Sequence, residues 1–329
     1  MLQTQTQAHA FKNATRFHDD SSKFISQPIE MHHVNAIERT ELEKIYRQSG
    51  GLTDNEIALE IKKYTPHFTR VIKNLLGNNA PCSLLISGLP VISNLTERLH
   101  INEKMSLAFA HLLGLPFQYL QQNEGKLVAR ISPHKDYENT QSGLSRAHFG
   151  WHTDDSIFSL NHRTEWIQLL GVINEGLTET LLSPIDDVVT QLSADVLHIL
   201  MQHRFEVKMP TSFGFRHQIW SHPLPLIWRN EQDQCEVGVP TYHVRPSDQN
   251  DKEALTALNV FLAAIDACCY SVIIQPDTLF IFNNNRVLHG RTPVIGHRMI
   301  LRTYIRRNLN ALREITGNST SIFDARFLI

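Results

Sequence analysis

Apolar residues recur at helical spacing behind Thr53-Asp54-Asn55-Glu56, where Ile57, Ile61, Tyr64, Phe68, Val71, Ile72 and Leu75 share one face and Gly77 follows. A Thr with a Glu three residues on is a capping box, in which each side chain satisfies the other's free backbone amide. The pattern predicts one amphipathic helix closed by Gly77. Cys82 to Gly88 is a short apolar run ended by Gly-Leu-Pro and reads as a buried strand. A second helix is expected over about Glu103 to Leu113.

Beyond residue 125 the period shortens. Leu127–Ile131, Arg146–Trp151, Trp166–Ile173 and Thr180–Pro184 are short strand candidates separated by turn residues. Residues 194–203 look helical, and Phe205–Met209, Gln218–Trp220, Pro225–Trp228 and Val237–Val244 return to strand. Asp251–Cys269 is an amphipathic helix, and Ser271–Ile274, Thr278–Phe282 and Arg298–Arg306 finish as strands. Helices in front of many short strands predict a mainly β fold, a double-sheet core with flanking helices. No fixed-period repeat and no Pro/Gly-rich linker divides the chain, so residues 1–329 are read as one domain with a helical lead-in over 1–78. Within that lead-in, residues 1 to about 30 are polar and mixed and are expected to be loosely held.

Composition narrows the class without naming it. At 42% hydrophobic the chain suits a globular core, and a net charge of -2 gives no reason to expect nucleic acid or a membrane surface. No apolar run reaches the roughly 20 residues of a membrane span, and Met1–Phe11 lacks the basic and apolar regions of a secretory signal. Cys82, Cys235, Cys268 and Cys269 form no CxxC pair, so buried free thiols in a reducing cytoplasm are expected.

The chemistry lies in separated segments. His152-Thr153-Asp154 places an imidazole and a carboxylate two residues apart, a spacing that shares one face at a strand end. Alone it reads as structural, since chance supplies many such pairs. His289 follows an apolar strand and an Asn-rich turn, where a rigid scaffold presents side chains. Two His and one carboxylate on one face of Fe(II) leave positions open for a co-substrate and O2. Asp155 would face away from Asp154 and reads as a supporting or loop-capping residue. In the last strand Arg298, Ile300, Arg302 and Tyr304 share one face. An arginine facing a core needs an anionic partner, and a carboxylate held in bidentate fashion is the natural one; an exposed edge strand with solvated arginines is the other reading.

Together, Trp151-His152-Thr153-Asp154, Glu179-Thr180-Leu181, the run Asn284-Asn285-Arg286-Val287-Leu288-His289-Gly290-Arg291-Thr292-Pro293, and Arg298 with Arg302 resemble the Fe(II)/2-oxoglutarate-dependent oxygenases, in the branch that holds taurine dioxygenase and clavaminate synthase. The similar region spans residues 80–307. The resemblance implies a double-stranded β-helix, the jelly-roll or cupin-like core. It implies His152, Asp154 and His289 as iron ligands, Arg298 and Thr180 on the distal carboxylate of 2-oxoglutarate, and Arg302 on a substrate carboxylate. Asp154 stands where the amino-acid hydroxylases carry Glu, as in taurine dioxygenase, and Arg298 comes only nine positions after His289. Halogenating relatives lack this carboxylate, so halogenation is not expected.

The expected activity is oxidation, chiefly hydroxylation, of an unactivated C–H bond in a small carboxylate-bearing substrate, an amino acid or amino-acid-derived metabolite of specialised metabolism. Fe(II), 2-oxoglutarate and O2 are the implied cofactor and co-substrates. His134–Ser145 is a polar segment before the metal strand and reads as a lid or a solvated loop; Arg245 and Asp248 are candidate substrate contacts. A sulfonate or aryloxyalkanoate dioxygenase and a non-catalytic cupin-like binding protein are the alternatives. Whether the substrate is free or carried on a thiolation domain, and the oligomeric state, are left open by the sequence.

Overall fold

The capping box forms as read: Thr53 Oγ1 accepts from Glu56 N at 3.3 Å, and Glu56 Oε2 accepts from Thr53 N at 2.8 Å. The single helix expected behind it is two. In this computed structural model, which describes residues 29–138, 140–215 and 218–329, the chain bends at Thr65 (φ -128°, ψ 64°), and Pro66 opens a second helix. Proline has no N–H to donate and pushes its predecessor out of the helical region, so the apolar stripe continues while the helix does not. Residues 1–28, nearly all of the stretch expected to be loosely held, lie outside the described residues.

In chain order the elements are β1 (Ile29–His33), α1 (Ala36–Gln48), α2 (Asp54–Tyr64), α3 (Pro66–Asn74), β2 (Ser83–Ser87), α4 (Leu95–Leu113), β3 (Leu115–Tyr119), β4 (Val128–Ile131), β5 (Phe149–His152), β6 (Trp166–Asn174), β7 (Glu179–Pro184), α5 (Ile185–Thr190), α6 (Ala194–Leu200), β8 (Phe205–Val207), β9 (Ile227–Arg229), β10 (Cys235–Val237), β11 (Val244–Pro246), α7 (Lys252–Ala267), β12 (Tyr270–Ile273), β13 (Leu279–Asn283), β14 (Val287–Arg291), β15 (Arg298–Arg306), α8 (Asn310–Thr316) and β16 (Ile322–Phe323). The helix α4 starts at Leu95, eight residues before the expected Glu103, because the Asn94 side chain caps Glu97 N at 3.0 Å. The expected strand Val237–Val244 divides into β10 and β11 with a turn between, at Pro240, which cannot donate to a ladder. Gln218–Trp220 forms no strand; only an isolated bridge joins Trp220 to Lys208.

Two facing sheets carry the core. Among the described residues the larger runs β1-β2-β13-β6-β15-β3-β16, with β4 also on β15; the smaller runs β12-β7-β14-β5, all antiparallel. This is the double-stranded β-helix, mainly β with flanking helices. The strand β6 shows how sequence builds it, since its residues are buried on both faces. Ile167 and Leu169 point between the sheets and meet Phe280, Phe282, Ile300 and Leu182. Trp166, Leu170 and Val172 point outward and pack under α2, α3 and α4. A polar knot locks α4 to the sheet: Gln168 Nε2 donates to Ser106 O at 2.8 Å, and Ser106 Oγ lies 2.9 Å from Thr303 Oγ1. The strand β15 is therefore central, paired with β6 along its length, and the edge-strand reading of its arginines is excluded.

Gly171 sits where the β6–β15 register shifts, and a Cβ there would lie 1.9 Å from Gln275 O. Gly171→Ala must displace backbone, not a flexible side-chain tip. Overpacking of this kind costs about 1–3 kcal/mol. Urea denaturation should show that loss of stability, and an unchanged midpoint would mean that the Gln275–Pro276 turn yields freely.

Candidate active site

The site begins with a register. Strands β14 and β5 pair so that His289 faces His152 directly, and their ring centroids are 4.1 Å apart. Gly290 permits the close approach, since a Cβ there would lie 2.8 Å from Phe149 O. His289 is thus within a strand rather than in the loop that the sequence suggested; the Asn-rich turn ends just before Val287. The i, i+2 argument for Asp154 also needs correction. The strand β5 stops at His152, and Asp154 lies in the following turn. Asn284 returns it to the site: Asp154 N donates to Asn284 Oδ1 at 2.8 Å, and Asn284 Nδ2 donates to Asp154 O at 2.9 Å.

Three donor atoms converge. His152 Nε2 is 3.4 Å and His289 Nε2 3.8 Å from Asp154 Oδ1, and the side chains keep only 6, 12 and 11% exposure respectively. The other carboxylate oxygen is held from behind, accepting from Arg302 Nη1 at 2.9 Å and from Tyr304 Oη at 2.7 Å. His152 Nδ1 lies 2.9 Å from Gly150 O and donates to it, so Nε2 is the nitrogen turned toward the centre. Burial, then His152, pushes His289 down to about 3, so its imidazole is neutral. Burial alone would raise the Asp154 carboxyl, but Arg302 and the imidazoles outweigh it and hold it well below the usual carboxylate range. Two imidazoles and one carboxylate, with His152 and Asp154 braced from outside, are a donor set suited to a divalent ion such as Fe(II).

Asp155 does turn away. Its carboxylate accepts from Thr164 Oγ1 at 2.6 Å, and burial followed by the Asp154 charge pushes it up to about 7.

Beside the triad is a cavity lined by Phe149, Ile167, Leu169, Phe282 and Ile300, with Thr180, Arg291, Arg298 and Arg302 as its polar groups. Arg298 is 6% exposed, pairs with no carboxylate among the described residues, and its Nε has no partner. Thr180 Oγ1 is likewise buried without one. Burial, and then Arg291, pushes Arg298 down to about 9. The two arginines of β15 therefore differ: Arg302 has its counter-charge in Asp154, whereas Arg298 has a cavity. Arg291 donates to the carbonyls of Gly143, Ser145 and Ala147 at 2.6–2.9 Å and fixes the segment expected as a lid against the cavity. Asn139, within that segment, lies outside the described residues.

The structure does not bring Arg245 or Asp248 to this place. Arg245 donates to Glu206 Oε2 at 2.9 Å and covers the Trp220 ring, and Asp248 caps Asn250 N at 2.8 Å on the surface. Period-2 alternation explains why: Val244–Pro246 pairs with β8, away from the triad. Tyr242, from the turn before it, approaches instead, with its ring 5.8 Å from Phe149 and 6.1 Å from His152. Sequence reading also passed over Asn284 and Arg291 as working parts, although both stand in the motif around His289, and over Tyr304, which shares the Arg298–Arg302 face.

Comparisons agree with this geometry. A family model described as taurine catabolism dioxygenase TauD, TfdA family matches residues 84–304. Enduracididine beta-hydroxylase of Streptomyces hygroscopicus is 23% identical over 319 residues, covering 83% of this chain and 92% of that protein. Asparagine oxygenase, solved with Fe(II), 3-hydroxyasparagine and succinate, superposes with a TM-score of 0.77 at 19% identity over 90% of this chain and 99% of that one. The non-heme iron oxygenase OrfP, solved with Fe, succinate and (3S)-hydroxy-L-Arg, gives 0.75 at 19% identity over 89% and 99%. Those structures share the fold.

Proposed function

This chain belongs to the TauD/TfdA family and is an Fe(II)/2-oxoglutarate-dependent oxygenase, and from that premise we propose that it hydroxylates an unactivated C–H bond of an amino acid or amino-acid-derived metabolite. One observation carries the reading: a buried His–Asp–His centre adjoins a cavity holding an unpaired arginine and an unpaired threonine. In this reading His152, Asp154 and His289 hold Fe(II), Arg298 and Thr180 hold the distal carboxylate of 2-oxoglutarate, and Arg302 holds the substrate carboxylate. With both groups bound, O2 is reduced as 2-oxoglutarate is decarboxylated to succinate and CO2, which supplies the oxidising power for the C–H bond.

The residues of the chain do the rest. Arg302 and Tyr304 fix the Asp154 carboxylate in one orientation, so one oxygen stays turned to the two imidazoles. Burial keeps the His289 imidazole neutral, so that nitrogen is ready for a cation without a competing proton. Arg298 provides a charge-assisted fork in an apolar surround, where it is worth more than in water. Phe149, Phe282, Ile167, Leu169 and Ile300 exclude water from the same space. Arg302 Nε has no partner, which supports it as the donor to a substrate carboxylate. That the relatives are named for hydroxylation of enduracididine and for asparagine oxygenation supports an amino acid here.

A substrate panel tests the reading. Amino acids, taurine and an aryloxyalkanoate are each incubated with enzyme, Fe(II), 2-oxoglutarate and O2, scoring succinate release and a product one oxygen heavier. An amino acid is expected to couple the two, and Arg302→Ala to raise its KM by about 10- to 100-fold, the scale of a lost buried charge-assisted bond, and to lower kcat as well because Asp154 loses its brace. Coupling by taurine or the aryloxyalkanoate alone would move the substrate to the alternative classes. No coupled turnover with any amino acid would overturn the substrate assignment.

A further inference from the structure

A second cluster of metal-ligating side chains stands away from the His152–Asp154–His289 centre, at the edge of the larger sheet. His32 comes from the edge strand β1, Glu38 from the first turn of α1, and His67 from the first turn of α3. One donor atom from each lies within 4.8 Å of the other two. Three elements from 36 residues of sequence thus bring two imidazoles and a carboxylate to one point, the same donor set as the catalytic centre.

Local folding accounts for Glu38 but not for the imidazoles. Glu38 is 6% exposed and caps the start of α3, its Oε1 accepting from Phe68 N at 2.6 Å, while Oε2 accepts from Asn35 Nδ2 at 2.7 Å. A carboxylate offers about four lone-pair sites, so each oxygen retains capacity. His32 Nε2 is buried and has no hydrogen-bond partner among the described residues. A buried imidazole nitrogen left unpaired is costly unless something occupies it. His67 is exposed, and its ring stands edge-on to His32 with centroids 5.2 Å apart. The pair presents nitrogen toward a common point without stacking.

We propose that His32, Glu38 and His67 form a second divalent transition-metal site, suited to Zn2+. Zinc takes His nitrogen and carboxylate oxygen at about 2.0–2.2 Å in a tetrahedron, often with three protein ligands and one water. Such bonds place donors roughly 3.3 Å apart, so the cluster must tighten, and the exposed His67 ring is free to swing in. Mg2+ and Ca2+ prefer all-oxygen shells and are disfavoured by the two imidazoles. The ion would clamp β1, α1 and α3 together, so its effect falls on the stability of this edge of the fold rather than on turnover.

The test uses the full chain, stripped of metal and titrated anaerobically with Co2+ as a spectroscopic substitute for zinc. Bound metal is counted by equilibrium dialysis, and its geometry is read from visible ligand-field absorption. Wild type is expected to bind two equivalents, His289→Ala one, His67→Ala one, and the double variant none. His32→Gln should repeat the loss seen in His67→Ala, which guards against an effect peculiar to one position. In His67→Ala the equivalent held at the catalytic centre reports that the fold is intact. Zn2+ should raise the melting temperature of His289→Ala and leave the double variant unmoved. Two equivalents retained by His67→Ala, or none bound by His289→Ala, would overturn the proposal. The two centres also fail separately: a wild type that binds one equivalent, lost in His67→Ala but kept in His289→Ala, would refute the catalytic assignment and leave this one standing.

Discussion

His289→Ala is expected to abolish the visible charge-transfer absorption that Fe(II) and 2-oxoglutarate give when bound anaerobically, and to lower turnover by more than about a thousandfold. Removing one member of a catalytic unit acts on that scale. His289 is the cleanest of the three proposed ligands to remove. Its ring is neutral and meets no counter-ion that its loss would strand; Asp154 keeps Arg302 and Tyr304. Asp154→Ala should lose the same absorption for a second reason as well, because it leaves the Arg302 guanidinium buried without its carboxylate. Breaking a buried pair on one side costs about 3–5 kcal/mol. Thermal melts therefore separate the variants: His289→Ala should melt near wild type and Asp154→Ala far below. An unaltered absorption in folded His289→Ala would remove His289 from the metal centre.

Arg298→Ala should raise the KM for 2-oxoglutarate by about 100-fold or more and leave the free protein at least as stable as wild type. The first half follows from losing a buried, charge-assisted partner of a carboxylate, worth about 2–5 kcal/mol. The second follows from the unpaired state of Arg298: a cation buried without a counter-charge opposes folding, and its removal relieves that cost. Arg298→Lys keeps the charge but not the planar fork and should fall between. The pH dependence has a definite sign. With burial pushing Arg298 down to about 9, 2-oxoglutarate affinity should be flat below pH 9 and fall above it as the guanidinium loses its proton. Stability of the free protein moves the other way. Above pH 9 the unfolded chain keeps the proton that the folded one loses, so this group's contribution to stability rises with pH. Titrating the absorption with 2-oxoglutarate at several pH values checks the first, and denaturation without ligand checks the second. Weak affinity already at neutral pH in wild type, unchanged in Arg298→Ala, would remove Arg298 from the co-substrate site.

Much of this was legible in the residue order. The capping box marked the start of α2, alternation marked β15 with its arginine face, and the run from Asn284 to Pro293 marked the strand that carries His289. What stayed hidden was non-local. Periodicity tells which residues share a face, but not which strand lies opposite. Arg298 and Arg302 look alike in sequence, and only the turn carrying Asp154 to one and the largely apolar cavity beside the other separate their roles. Arg245 read as a substrate contact because it follows a strand in a suggestive place, yet the pairing of β11 with β8 sends it to Glu206.

The sequence by itself determined the donor types, their order, and the faces on which His152, Arg298 and Arg302 stand, since these depend on bonded neighbours and a two-residue repeat. Tertiary structure alone decided that His289 faces His152 across a ladder, that Asn284 returns Asp154 to both, and that His32, Glu38 and His67 meet at all. Those meetings depend on register and packing between segments far apart in the chain, and pattern within any one segment carries no record of them.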